Sequence, residues 1–321
     1  MSGSTNIQYL THQQIDKTRW DNCIEKADNG LIYAYSFYLD NMSAHWDALV
    51  MSKGLHPENE YETVMPLTWN KKYGIRYLYQ PFLTAQLGVF GKNVTEEQVE
   101  FFIKSVPASF RYIDISLNSK NIAVYLTRFS IHRNNYVLDL NRPYEILHQN
   151  YRENIQRNIK KAFQLGCSVQ KDFDVEKVIE LALQQMKNQG KEESKNIEHF
   201  KKLYQTLHSR KMATTYGVFS TQNELLASCV FFFSHNRAYY ILVGNHPNGK
   251  SMGASHALID AFIKDHAATY LPAGQAGMLL DFEGSDIRNL AFFYSSFGAV
   301  NEIYPAIKIN RLPFFLSWLK K

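Results

Sequence analysis

The sequence predicts an α+β fold, and two observations carry that prediction. The second half sets a meander of three strands, over residues 216–219, 225–233 and 238–243, after a run of helices. A helix–strand–helix–strand ending follows, an order that a doubly wound parallel sheet does not have. Within the meander, residues 229–233 are continuously apolar, as in a central strand covered on both faces. The expected architecture is therefore mixed, largely antiparallel sheets flanked by helices, and 321 residues suffice for two domains. A composition 45% hydrophobic and 20% charged excludes disorder. The 14% aromatic share predicts bulky sheet cores and an aromatic-lined groove.

The elements follow in chain order. Residues 7–10 read as a strand, 16–27 and 35–43 as helices, and 46–51 as a strand that pairs across a polar turn with the β-rich run 61–69. Residues 77–89 are apolar but interrupted by Pro81 and Gly88, so they read as loop. Thr95 caps a helix over 96–105, which Pro107 stops. Strands at 112–117 and 136–140 lead to a junction at 141–143, giving domains over 1–142 and 143–310. A long helix over 144–165 ends at Gly166. Helices over 175–188 and 197–210 precede the meander. A glycine-bearing loop, 244–252, opens a helix over 253–266. After an exposed loop at 271–277 come the strand 279–283, a helix over 287–297 and one or two last strands over 302–310. The apolar, basic-ended tail 311–321 is expected to dock on its own protein, with membrane contact as the alternative.

Several function classes fall away at once. No apolar run reaches the ~18 residues of a transmembrane helix. The first eight residues lack the charged and apolar parts of a secretory signal. Cys23, Cys167 and Cys229 are widely spaced with no metal or redox motif, so a reduced, cytoplasmic setting is expected. The histidines show no zinc spacing. A net charge of +5 suits a substrate carrying phosphates or nucleic acid but is too small for coating DNA.

Three stretches could carry chemistry. The strand Leu279-Leu280-Asp281-Phe282-Glu283 brings two carboxylates to one face by strand alternation, where like charges raise one pKa and suit proton handling. The step from Gly244 to Ser255 is a strand–loop–helix turn whose free N–H groups suit a phosphate or oxyanion, with Lys250 beside it and Gly253 and Ser255 at the helix start. The helix around Ile155 and Ile159 carries Arg157 and Lys161 one turn apart, a basic pair able to hold phosphates. Tyr294 and Tyr304 add hydroxyls, and Lys308 shares one strand face with Asn310. Each also has a plain structural reading: a buried acceptor, a tight turn, a solvated helix face, a core aromatic.

Taken together, residues 151–166, 249–265 and 281–299, followed by 304–310, resemble the FemAB-like branch of the GNAT acyltransferase superfamily. The likeness covers about residues 144–310, with weaker agreement before, at 79–82 and 86–91. It implies two GNAT-like domains with a substrate groove between them, and transfer of an acyl or aminoacyl group to an amine. For several members the acceptor is a peptidoglycan precursor. It implies no tightly bound cofactor, with acyl-CoA or aminoacyl-tRNA as donor. The pyrophosphate loop of the superfamily, Gln/Arg-x-x-Gly-x-Gly/Ala, aligns with Lys250, Gly253 and Ser255 and keeps its middle glycine. On this reading Asp281 or Glu283 takes the amine's proton, Gly253 N–H or Lys308 steadies the oxyanion, and Tyr294 protonates the leaving group. Arg157, Lys161, Lys250, Gly253, Ser255 and Tyr304 line the substrates. A non-catalytic module that binds a peptide or glycolipid precursor on the same scaffold is the alternative.

Overall fold

A computed structural model describes residues 7–52, 60–122, 130–188, 194–268, 277–283 and 286–312. The expected tail from 313 onward, the loop at 271–276 and the Gly284–Ser285 step lie outside the described residues. The chain divides into two compact units, Met1–Arg133 with Ile303–Lys321, and Asn134–Glu302.

The first unit holds β1 (Ile7–Leu10), α1 (Lys17–Glu25), α2 (Ser36–Met42), β2 (His45–Ser52), β3 (Tyr61–Lys72), β4 (Ile75–Leu78), β5 (Phe90–Gly91), α3 (Glu96–Lys104), β6 (Phe110–Ser116) and β7 (Ser130–Arg133). Asp16 caps α1 by accepting from the Thr18 and Arg19 N–H groups, and Thr95 and Gln98 close a capping box on α3. The strand β4 runs into the stretch 77–89 read from sequence as loop, overlapping it at Tyr77 and Leu78. Tyr73 and Gly74, both at positive φ, turn β3 back on it, and that hairpin lacks the Asn-Gly or Asp-Gly signal. Leu49, Met65, Phe102, Phe110 and Ile113 anchor the core of this unit.

The second unit begins with β8 (Tyr136–Asp139), α4 (Tyr144–Gln149), α5 (Glu153–Gln164), β9 (Ser168–Lys171), α6 (Val175–Asn188) and α7 (Ser194–Ser209). It continues through β10 (Ala213–Phe219), β11 (Leu225–Ser234), β12 (Arg237–Asn245), α8 (Pro247–Met252), α9 (Ala254–His266), β13 (Leu279–Asp281), α10 (Arg288–Ser295) and β14 (Val300–Asn301). Its sheet order is β14-β8-β13-β12-β11-β10-β9, antiparallel except for the β12–β13 pair. The meander is present as expected, with β11 central and buried along most of its length. Phe231 stacks on Phe262 of α9, while its neighbour Phe232 stacks on Phe200 of α7. Adjacent strand residues point to opposite faces, so α9 and α7 cover opposite sides of this sheet.

Two sequence expectations change here. The helix over 144–165 is two helices. Arg152 turns to extended backbone, its N–H donates to the Ser296 carbonyl, and Tyr151 packs edge-on against Phe297. Gly166 nevertheless follows α5 in the left-handed conformation, as its position predicted.

The last strand, β15 (Tyr304–Asn310), also departs from the sequence reading. It pairs with β6 and β7 in the first sheet, so the second unit is an insertion between β7 and β15. The junction expected at 141–143 lies beyond β8, a strand that already belongs to the second sheet. Among the described residues, no helix is long and apolar enough to cross a membrane.

Candidate functional site

The second sheet opens beside β12. β13 pairs with β12 only over Arg237–Tyr239, so β12 runs on from Tyr240 to Asn245 past its neighbour's end. On its other side the register slips: Ser228 faces Gly244 while Val230 faces Ile241, which leaves an extra residue on β12. Leu242 takes φ +46° there, opposite the fully buried Cys229. Such a bulge bends a strand and frees ladder groups. The bend leads directly into α8 and α9.

Aromatic side chains line this region. Phe282, one residue past β13, stacks on Tyr294 of α10 with ring centroids 4.6 Å apart, and Tyr240 meets Tyr294 edge-on at 6.3 Å. Burial raises the Tyr294 hydroxyl well above its usual range, and the neighbouring Glu283 raises it further. Glu283 is pushed well above the usual carboxylate range by burial. The Glu283 carboxyl, past the end of β13, thus acts on the Tyr294 phenol.

Asp281 has a different setting. It is 2% exposed and accepts from the Arg237 guanidinium at 2.5 Å, Asn135 Nδ2 at 2.9 Å and the Glu283 N–H at 2.9 Å. Arg237 also grips Glu302 at 3.1 and 3.2 Å. Burial works against the guanidinium charge, but Asp281, Tyr239 and Glu302 outweigh it and its pKa is raised. The expected like-charge pair therefore does not form. Glu283 leaves the strand at φ +62°, which breaks the alternation assumed from sequence, while Asp281 belongs to an ion pair that joins β12, β13 and the segment after β14.

On the α9 side, Gly253 separates α8 from α9 at φ +79°. A Cβ there would lie 2.4 Å from the Asn158 carbonyl oxygen of α5, so the glycine admits that helix rather than a ligand. The first N–H groups of α9 follow it without intrahelical acceptors. Ser255 donates its hydroxyl to Asn245 Oδ1 and so ties the helix start to the end of β12. Arg157 and Lys161 sit exposed on α5, which packs against both α8 and α9, and Lys250 is exposed on α8.

Residues 149–273 match the acetyltransferase (GNAT) domain family. The match falls wholly within the second unit. The crystal structure of FemX superposes with a TM-score of 0.66 at 12% identity, over 98% of this chain and 99% of that one. A conserved protein of unknown function from Bacteroides thetaiotaomicron VPI-5482 gives 0.58 at 12% identity, over 94% of this chain and 99% of that one. Identities this low show a shared fold. No curated protein matches the chain in sequence.

Within the second unit, Glu283 and Tyr294 lie past the end of β13 and on α10, Lys250, Gly253 and Ser255 lie on the α8–α9 step that follows β12, and Arg157 and Lys161 lie on α5, which packs on α8 and α9. Tyr304 and Lys308 belong to the other unit. Both lie on β15, where Tyr304 faces Arg133 and Lys308 faces Asp114 across the first sheet. The expectation that the Lys308 strand neighbours the carboxylate strand fails, because β13 has β8 and β12 as neighbours. Sequence reasoning also missed the bulge at Leu242 and the partnership of Arg237 with Asp281. Residues 238–243 read as an unbroken strand, and nothing local marks a left-handed leucine.

Gly253→Ala provides a stability check. The left-handed backbone alone costs about 1–3 kcal/mol for a residue bearing a Cβ, and the contact with Asn158 adds to it. Urea unfolding should show a loss at or above the top of that range. A variant as stable as the parent would mean that α5 can retreat and that the glycine serves something else.

Proposed function

We propose that the second unit transfers an acyl or aminoacyl group from an activated donor to an amine acceptor at the opening beside β12. The observation that carries this reading is the coincidence of the β12 bulge, the end of β13, the half-buried Glu283 and the buried Tyr294 on which it acts. Holding donor and acceptor in one cleft removes much of the entropic cost of a bimolecular step. The amine attacks the donor carbonyl, the C–N bond forms and the bond to the leaving atom breaks. Tyr294 gives its proton to that leaving atom, Glu283 recharges the tyrosinate, and the carboxylate so formed takes the proton shed by the new amide nitrogen. Protons balance: one moves from the amine to the leaving group.

An oxygen-ester donor of the aminoacyl-tRNA kind suits this site better than a thioester. A thiolate departs without a proton, whereas an alkoxide needs one, and a tyrosine held protonated by burial is matched to the poorer leaving group. Gly253 faces Asn158, so it does not present its backbone to a CoA pyrophosphate on that side. Donor phosphates would lie along Arg157 and Lys161, with Lys250 nearby. The acceptor class that the resemblance implies is the amine of a cell-wall precursor.

The direct test supplies labelled aminoacyl-tRNA or acyl-CoA with amine acceptors and follows label to an amide. Transfer from neither donor sinks the reading. The double substitution Arg157→Gln/Lys161→Gln should raise the donor KM about tenfold with kcat unchanged, as for contacts equal in ground and transition states. A fall in kcat at constant KM would move these side chains to the reacting centre.

A further inference from the structure

A cavity lies in the second unit, at the sheet end opposite the β12–α9 step. It measures about 650 Å³ and is bordered by the end of β9, the start of β10, the last turn of α7 and His266 at the end of α9. α9 has 13 residues, so its two ends lie about 20 Å apart. This cavity is therefore not part of the acyl-transfer opening.

Its lining is polar and of mixed charge, with Lys171 and Lys211 beside Asp172, His208 and two hydroxyl residues, and an aromatic part. Lys171, Lys211 and His208 supply nitrogen donors, and Ser209 and Thr214 supply hydroxyls. Two carboxylates are close, but both are already engaged. Asp265 accepts from Lys171 Nζ at 2.5 Å and from the Tyr216 hydroxyl at 2.8 Å, and Asp172 accepts from Thr214 Oγ1 at 2.5 Å. Lys211 stands at φ +57° in the bend after α7, and His208 stacks on Tyr204 with centroids 5.4 Å apart. Phe233 and His266 supply the ring surfaces of the lining, with centroids 5.8 Å apart and planes tilted by 44°.

We propose that this cavity binds a small phosphate-bearing ligand with a planar ring, of the nucleoside monophosphate class. The phosphate meets Lys211, His208 and the nearby hydroxyls, and the ring lies along Phe233 and His266. Charge-assisted bonds to the phosphate supply affinity, and the aromatic wall supplies the preference for a ring over bare phosphate. The site is independent of the transfer chemistry proposed above.

The test is calorimetric titration of the full chain with AMP, followed by competition with inorganic phosphate. Saturable AMP binding that phosphate displaces is expected. His208→Gln and Lys211→Asn, the latter chosen because asparagine tolerates the left-handed bend, should each weaken AMP about tenfold, the loss of one hydrogen-bonding contact to the phosphate. Arg157→Gln/Lys161→Gln should leave AMP affinity unchanged. No saturable AMP binding, binding that phosphate fails to displace, or parent-like affinity in both pocket variants overturns the proposal. Loss of AMP binding in the α5 variant also overturns it, because it would place the nucleotide at the acyl-transfer end.

Discussion

Tyr294→Phe lowers kcat by about 10²-fold or more, the scale of a positioned general acid, and leaves the unfolding midpoint in place. The ring keeps its stack on Phe282 and its edge contact with Tyr240, so only the hydroxyl is removed. Glu283→Gln is expected to match it in turnover, and the two together should cost little more than either alone, because one relay is broken in each case. Additive losses would mean that the two groups act separately. An unchanged kcat in Tyr294→Phe would remove the acid from the mechanism.

Glu283 also leaves a mark on stability against pH. Its folded pKa is raised above the ordinary value of 4.5 by burial. The folded chain therefore holds this proton over a pH range in which the unfolded chain has released it. The stabilisation is fully present below that ordinary value and declines as pH rises toward the folded value. Glu283→Gln carries no such proton, so its stability should fall less across that window than that of the parent. Parallel urea-midpoint curves for the two proteins would show that Glu283 is ordinarily hydrated in the folded state.

Asp281→Asn loses about 3–5 kcal/mol of unfolding free energy, the cost of stranding a buried charge. Whatever fraction stays folded turns over at the parent rate. The guanidinium of Arg237 keeps Glu302 as a partner, which places the loss toward the low end. Replacing Asp281 and Arg237 together by apolar residues should recover much of it, because the desolvation cost of both ions disappears. A stable Asp281→Asn protein with crippled kcat would reverse the assignment and return this carboxylate to the chemistry.

The parts of this molecule that were legible in its sequence are those fixed by short-range rules. Thr95 and Gln98 announce α3, the apolar run at 229–233 announces a doubly covered strand, and Gly166 announces the end of α5. Tyr294 was found as a hydroxyl on an amphipathic helix next to a carboxylate strand. What stayed hidden depends on distant partners. Arg152 breaks a helix because Ser296, far along the chain, accepts its N–H. Asp281 is committed to Arg237, 44 positions earlier. Leu242 adopts a left-handed backbone that leucine does not favour. Local pattern carries no record of any of these.

The place of β15, between β6 and β7, sets the order in which this protein can mature. During synthesis the first sheet must wait for its penultimate seat to be filled, since the missing segment leaves the ribosome only after the whole inserted unit. A nascent chain stopped after Arg133 would carry two raw β margins, on β6 and β7, each offering unpaired amides to any neighbouring polypeptide. The inserted unit has no such debt and can close on itself first.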